Sequence, residues 1–195
     1  MSSGKFLAFH APVVGGGATS VGLMILPMEG DAARGWTPGK PTVFLSTPAV
    51  EAGPMFSPDG RWITYVSTEA GGAYDVYVRP FPEPGGGWRV STAGGSYPQW
   101  SATTHELLFL AGTQGQIVAA PYTVVGDAFR AETPQIWSPT NVLDASTTDR
   151  AFDLHPDGKR VAASAGPNQS SVVEDKVVFV FNFAHYLSTI APRSQ

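Results

Sequence analysis

An all-β fold of repeated, small antiparallel sheets is what this sequence predicts, on three observations. Of its 195 residues, 22 are Gly and 17 are Pro, so about one position in five interrupts a helix or favours a turn. Its apolar residues come in short runs that alternate with polar ones, the period of a pleated strand and not the 3.6 of a helix. A turn followed by an apolar run recurs four times along the chain. Hydrophobic residues make up 43% and charged residues 14%, which is too apolar for a disordered tail and enough for a buried core.

The recurring segments are Ser3-Gly4-Lys5-Phe6-Leu7-Ala8-Phe9, Asp59-Gly60-Arg61-Trp62-Ile63-Thr64-Tyr65-Val66-Ser67, Thr103-Thr104-His105-Glu106-Leu107-Leu108-Phe109-Leu110 and Asp157-Gly158-Lys159-Arg160-Val161-Ala162-Ala163-Ser164. Aligned on Gly4, Gly60, Thr104 and Gly158, they step by 56, 44 and 54 residues. Two carry a Pro-Asp-Gly turn, Pro58-Asp59-Gly60 and Pro156-Asp157-Gly158. There Pro presets φ, Asp bonds the backbone ahead and Gly accepts positive φ. Each turn joins a short strand a (Met55-Phe56-Ser57, Pro98-Gln99-Trp100-Ser101 or Phe152-Asp153-Leu154-His155) to an apolar strand b.

Strand c follows at 21–28, 74–81, 116–122 and 176–181, where Val and aromatic residues alternate with polar ones. Strand d follows in the first three units at 42–47, 88–92 and 135–138. Four strands per unit at this spacing predict propeller blades, over approximately 3–47, 53–92, 96–138 and 149–182, with a tail at 183–195. The chain is read as a single domain.

Gly53-Pro54-Met55-Phe56-Ser57-Pro58-Asp59-Gly60-Arg61-Trp62, followed by Val76-Tyr77-Val78-Arg79-Pro80-Phe81-Pro82 and Trp88-Arg89-Val90-Ser91-Thr92, resembles the TolB-like, WD40-like (PD40) β-propeller repeats of bacteria. The resemblance is nearest to the C-terminal propellers of bacterial eukaryote-like serine/threonine kinases. It extends over nearly the whole chain. The third unit departs from it, with Ala102-Thr103-Thr104 where the family has an Asp-Gly turn, and no kinase motif is present. The resemblance implies a sensing or scaffolding propeller and brings no catalysis.

The ring is expected to be unfinished. The first unit starts at its a–b turn, and the last has no d strand, so the units count three, four, four and three strands. Propellers protect their edges by closing the ring. Closure as a small four-bladed ring, a composite ring of about eight blades from two chains, and membership of a longer protein all remain open; a homodimer through the blade edges is the working expectation.

The formal charge of −4 is the opposite of a nucleic-acid-binding footprint, so no nucleic-acid partner is expected. The absence of cysteine removes thiolate metal sites and thiol nucleophiles. No signal peptide is read at the N-terminus and no apolar run approaches the length of a membrane span, so a soluble protein is expected. Its compartment is left open. The resemblance permits a periplasmic or extracytoplasmic setting in a longer parent protein.

No G-x-S-x-G elbow is present; Ala18-Thr19-Ser20-Val21-Gly22 lacks the first Gly. His10, His105, His155 and His185 lack metal-site spacing. Asp59, Asp75, Asp153 and Asp157 read as turn and strand residues before they read as cation ligands. Gly15-Gly16-Gly17 and Gly85-Gly86-Gly87 read as loop tips, since neither opens a Lys-Ser/Thr phosphate motif. Asn168-Gln169-Ser170 is read as a loop. Trp62, Trp88, Trp100, Trp137, Tyr65, Tyr77 and Phe81 read as packing between blades before they read as a sugar platform.

No catalytic, cofactor or metal residue is therefore assigned, and the only site residues named are the structural turns Pro58, Asp59, Gly60, Pro156, Asp157 and Gly158. The expected function is a non-catalytic protein- or ligand-binding module, with a protein or peptide bound at the channel mouth or on the face that gathers the d–a and b–c loops. The alternative is a hydrolase or lyase in the channel, which a cluster of Asp75, Glu106, Asp153 and His155 would favour.

Overall fold

A computed structural model describes residues 5–13, 20–31, 33–112, 115–142 and 151–163, and all regular structure among them is β. The expected strand at 176–181, the tail 183–195, most of the connector before the last unit and the Gly15-Gly16-Gly17 loop lie outside the described residues.

Four antiparallel sheets follow one another along the chain, and none closes on itself. The first contains β1 (Phe6–Pro12), β2 (Val21–Asp31), β3 (Gly35–Pro38) and β4 (Thr42–Leu45). The second is the meander β5 (Glu51–Phe56), β6 (Trp62–Ser67), β7 (Asp75–Pro80) and β8 (Trp88–Arg89). The third contains β9 (Gly95–Trp100), β10 (Glu106–Ala111), β11 (Gln116–Val125), β12 (Ala128–Ala131) and β13 (Gln135–Asn141). The fourth is the hairpin β14 (Phe152–Leu154) and β15 (Val161–Ala163).

The period of two explains how these sheets hold together. In β6, Trp62 and Val66 belong to an apolar layer shared with the third sheet, while the alternate residues Ile63 and Tyr65 belong to a layer shared with the first. In β10, Leu107 and Phe109 pack toward the second sheet, and Leu108 and Leu110 pack toward the fourth with Phe152. The middle strands are thus buried on both faces, which is why they read as continuous apolar runs. Burying each such large side chain contributes roughly 1.5–3 kcal/mol. Three apolar layers therefore alternate with four sheets in chain order.

Side chains also tie neighbouring sheets through backbone atoms. Gln99 donates from Nε2 to the Phe152 carbonyl at 2.5 Å and accepts from the Leu154 amide at 2.9 Å. Trp100 Nε1 donates to the Met55 carbonyl at 3.1 Å, and the Gly53 amide donates to His10 Nδ1 at 3.4 Å. Each junction has its own such link.

Two strands go beyond those read from the sequence. β2 and β11 overrun their sheets and fold back as hairpins with β3 and β12. Asp31 Oδ1 accepts from the amides of Ala33 and Arg34 in the first turn; in the second, Gly126 takes a φ of 61°, the left-handed conformation glycine tolerates. In the opposite direction, the strand expected at 88–92 shortens to Trp88–Arg89. Beyond it the Val90 amide donates to the Val76 carbonyl and the Val76 amide to the Ser91 hydroxyl, and Ser91 donates on to the buried carboxylate of Asp75, which also receives Arg89.

The outer sheet differs from the inner ones. Among the described residues β1 pairs only with β2, so nothing stands where β5 and β9 stand in their sheets. Cross-strand pairing sets Leu7 beside Leu26, and Phe9 and Val43 beside Met24. Leu7 is 53% and Val43 52% exposed.

Candidate functional site

The a–b turns of the second, third and fourth sheets share one closure. The amides of Ser57, Ser101 and His155 donate to the carbonyls of Trp62, Glu106 and Arg160, five residues ahead in each case, at 2.9, 3.0 and 2.8 Å. The side chains that stiffen the loop differ. In the second sheet the Ser57 hydroxyl donates to Asp59 and accepts from the Trp62 amide, Asp59 accepts from the Arg61 amide, and Gly60 has a φ of 72°. In the fourth, Asp157 accepts from the Lys159 amide and the Arg160 guanidinium, and Gly158 has a φ of 69°. These bonds, the Lys159 amide foremost, hold the Asp157 carboxyl down to about 2. In the third, where Asp-Gly is replaced by Thr-Thr, Ser101 Oγ accepts from the Thr104 amide and hydroxyl.

The third and fourth turns touch. Thr103 Oγ1 donates to the Asp157 carbonyl at 3.2 Å, and a Cβ placed on Gly158 would stand 2.2 Å from that same Oγ1. Between the second and third turns the space stays open as a groove of about 520 Å³. It is lined by Pro58, Asp59 and Arg61 of the second sheet, by 101–105 of the third, and by Tyr122, Val124, Gly126 and Asp127 of the β11–β12 hairpin.

Aromatic packing fixes that hairpin. Phe129, 2% exposed, has ring centroids 5.4 and 6.1 Å from Trp62 and Trp88 of the second sheet and 6.0 and 5.1 Å from Trp100 and Tyr122 of the third. At the tip, Arg61 Nη2 donates to the Gly126 carbonyl at 2.8 Å and meets Asp127 at 3.3 Å. His105 lies edge-on to Tyr122 at 5.6 Å. Burial, and then the negative charge of Asp59, push the Tyr122 hydroxyl upward.

Of the residues singled out in the sequence, Pro58 and Asp59 line the groove, and Pro156, Asp157 and Gly158 form the turn beyond it. The groove lies at the end of the sheets that carries the a–b turns, opposite the d–a and b–c loops. The cause is the overrun of β11, which raises a wall there. His10 and His105 have the structural contacts described above, while His185 and Asn168-Gln169-Ser170 lie outside the described residues. Gly85 and Gly87 surround Arg79, which donates to the Gly85 carbonyl and to Tyr65 Oη. Trp62, Trp100, Tyr65 and Tyr77 are buried between sheets.

Asp75, Glu106 and His155 are each engaged by near neighbours: Asp75 by Arg89 and Ser91, Glu106 by Thr104, and His155 by Asp157. Among the described residues no group of three or more His, Asp or Glu could hold a metal, and no helix is long and apolar enough to cross a membrane. Phe129 and the Arg61–Asp127 pair were not singled out in the sequence. Their signal was Gly126-Asp127 between Val124-Val125 and Ala128-Phe129, a two-residue hairpin turn flanked by strand formers. No protein-family model and no curated protein matches the chain.

Proposed function

We propose that the chain is a non-catalytic recognition module, a partial β-propeller whose sheets are blades, and that it takes an extended protein or peptide segment in the groove between the second and third sheets. The groove carries this reading: it is open, mixed in polarity and framed by hydrogen-bonded turns on two sheets that share one apolar layer. The repeating a–b closure and the stacking in chain order support the propeller, as does the TolB-like, WD40-like pattern of 53–95. Selection of a random displayed peptide library on the chain tests the binding reading. Selected peptides bind the wild type and lose binding to Ala102→Trp, which fills the groove from an exposed position; peptides indifferent to that change overturn it.

The module associates with a second chain through its outer sheet. The unpaired edge of β1 among the described residues and the half-exposed Leu7 and Val43 support this. Light scattering over a range of concentrations gives the mass of a dimer. A monomer at every concentration contradicts it.

A further inference from the structure

We propose that the groove recognises an arginine side chain of a peptide, and that Arg61 is the internal stand-in for it. This rests on the reading of the groove as a recognition site and names what it recognises. The tip of the β11–β12 hairpin presents a carbonyl and a carboxylate, Gly126 and Asp127, and the Arg61 guanidinium already bonds both. That pair is solvent-exposed, with the Arg61 side chain 49% accessible and Asp127 fully so, and such surface pairs are weak and readily exchanged. A second carboxylate, Asp59, lines the same groove, its Oδ1 held in place by the Ser57 hydroxyl and the Arg61 amide. Two carboxylates against one cation repel an anionic ligand and favour a cationic one. A planar guanidinium fits the carbonyl–carboxylate pair by geometry, as Arg61 already shows.

Three capped tripeptides, acetyl-Gly-Arg-Gly-amide and its Gln and Glu counterparts, titrated into ¹⁵N-labelled protein, test this by chemical shift. The Arg peptide moves the amides of Arg61, 102–105 and Asp127, and the order of affinity is Arg, then Gln, then Glu. Arg61→Gln removes the competitor and tightens the Arg peptide roughly two- to fivefold, while Asp127→Asn weakens it by a similar factor. Both positions are exposed, and the spectra themselves report the fold. Equal binding of the three peptides in the groove, or weaker binding of the Arg peptide to Arg61→Gln, overturns the arginine assignment and leaves the recognition groove standing. A groove moved by none of these peptides, nor by any peptide from the displayed library, overturns the recognition reading as well.

Discussion

The first two junctions between sheets are closed by the same device and end differently. At the first, Phe81 follows β7 directly and lies against Phe6 and Phe44 of the first sheet and Phe56 of its own, with centroids 5.0–6.0 Å away. At the second, Phe129 leans back on Trp62 and Trp88 of the preceding sheet in the same way, but it is carried on a hairpin that overruns the third sheet. In both cases the connection from strand c to strand d places a phenylalanine over the neighbouring sheet. A short connection gives a cap, whereas a long one gives a cap with a wall above it, and the groove is the space that the wall encloses. The groove thus arises here from the length of one connection.

Truncating the two caps is the strongest test of that comparison. Phe129→Ala is expected to cost about 3–5 kcal/mol and Phe81→Ala, at a half-buried ring, roughly half as much, read by denaturant unfolding. Equal losses would mean that the hairpin does not bridge the two sheets.

Removing Gln99 tests whether the third and fourth sheets are tied as firmly as the inner ones. Gln99→Leu leaves the Phe152 carbonyl and Leu154 amide without their partner, at a cost of about 1–3 kcal/mol. An unchanged midpoint would mean that this link contributes nothing.

The turns give a paired test. Gly60→Ala places a side chain in open space at positive φ and is expected to cost about 1 kcal/mol. Gly158→Ala adds a collision with Thr103 Oγ1 and should cost at least twice that. If the two cost the same, the third and fourth turns do not touch.

Smallest is an acid effect. The folded state holds the Asp157 carboxyl at about 2, below its ordinary 3.8, through the Lys159 amide, Arg160 and His155. A depressed folded value gives stability that is present above the ordinary value and lost as pH falls from there toward 2. Wild type should therefore lose its advantage over Asp157→Asn across that window. A difference that does not change with pH contradicts this role for the carboxylate.

Much of the β-structure was legible because two-sided burial writes itself into sequence. Trp62-Ile63-Thr64-Tyr65-Val66 and Leu107-Leu108-Phe109-Leu110 are apolar on both alternating faces, and turn residues mark where they begin. The hairpins β3 and β12 were not read, because Gly126-Asp127 and the Asp31 turn sit inside runs already explained as strand and loop. The groove was less legible still. Its walls come from 58–61, 101–105 and 122–127, and only packing across sheets brings these together. Phe129, a lone aromatic between charged and small residues, carries no periodic signal of its burial.

The groove depends on Phe129 spanning two sheets, and nuclear Overhauser contacts from its ring protons measure this directly. Contacts to the indoles of both Trp62 and Trp88, together with Trp100 and Tyr122, are predicted. Contacts confined to Trp100 and Tyr122 would leave the hairpin on its own sheet and contradict the groove.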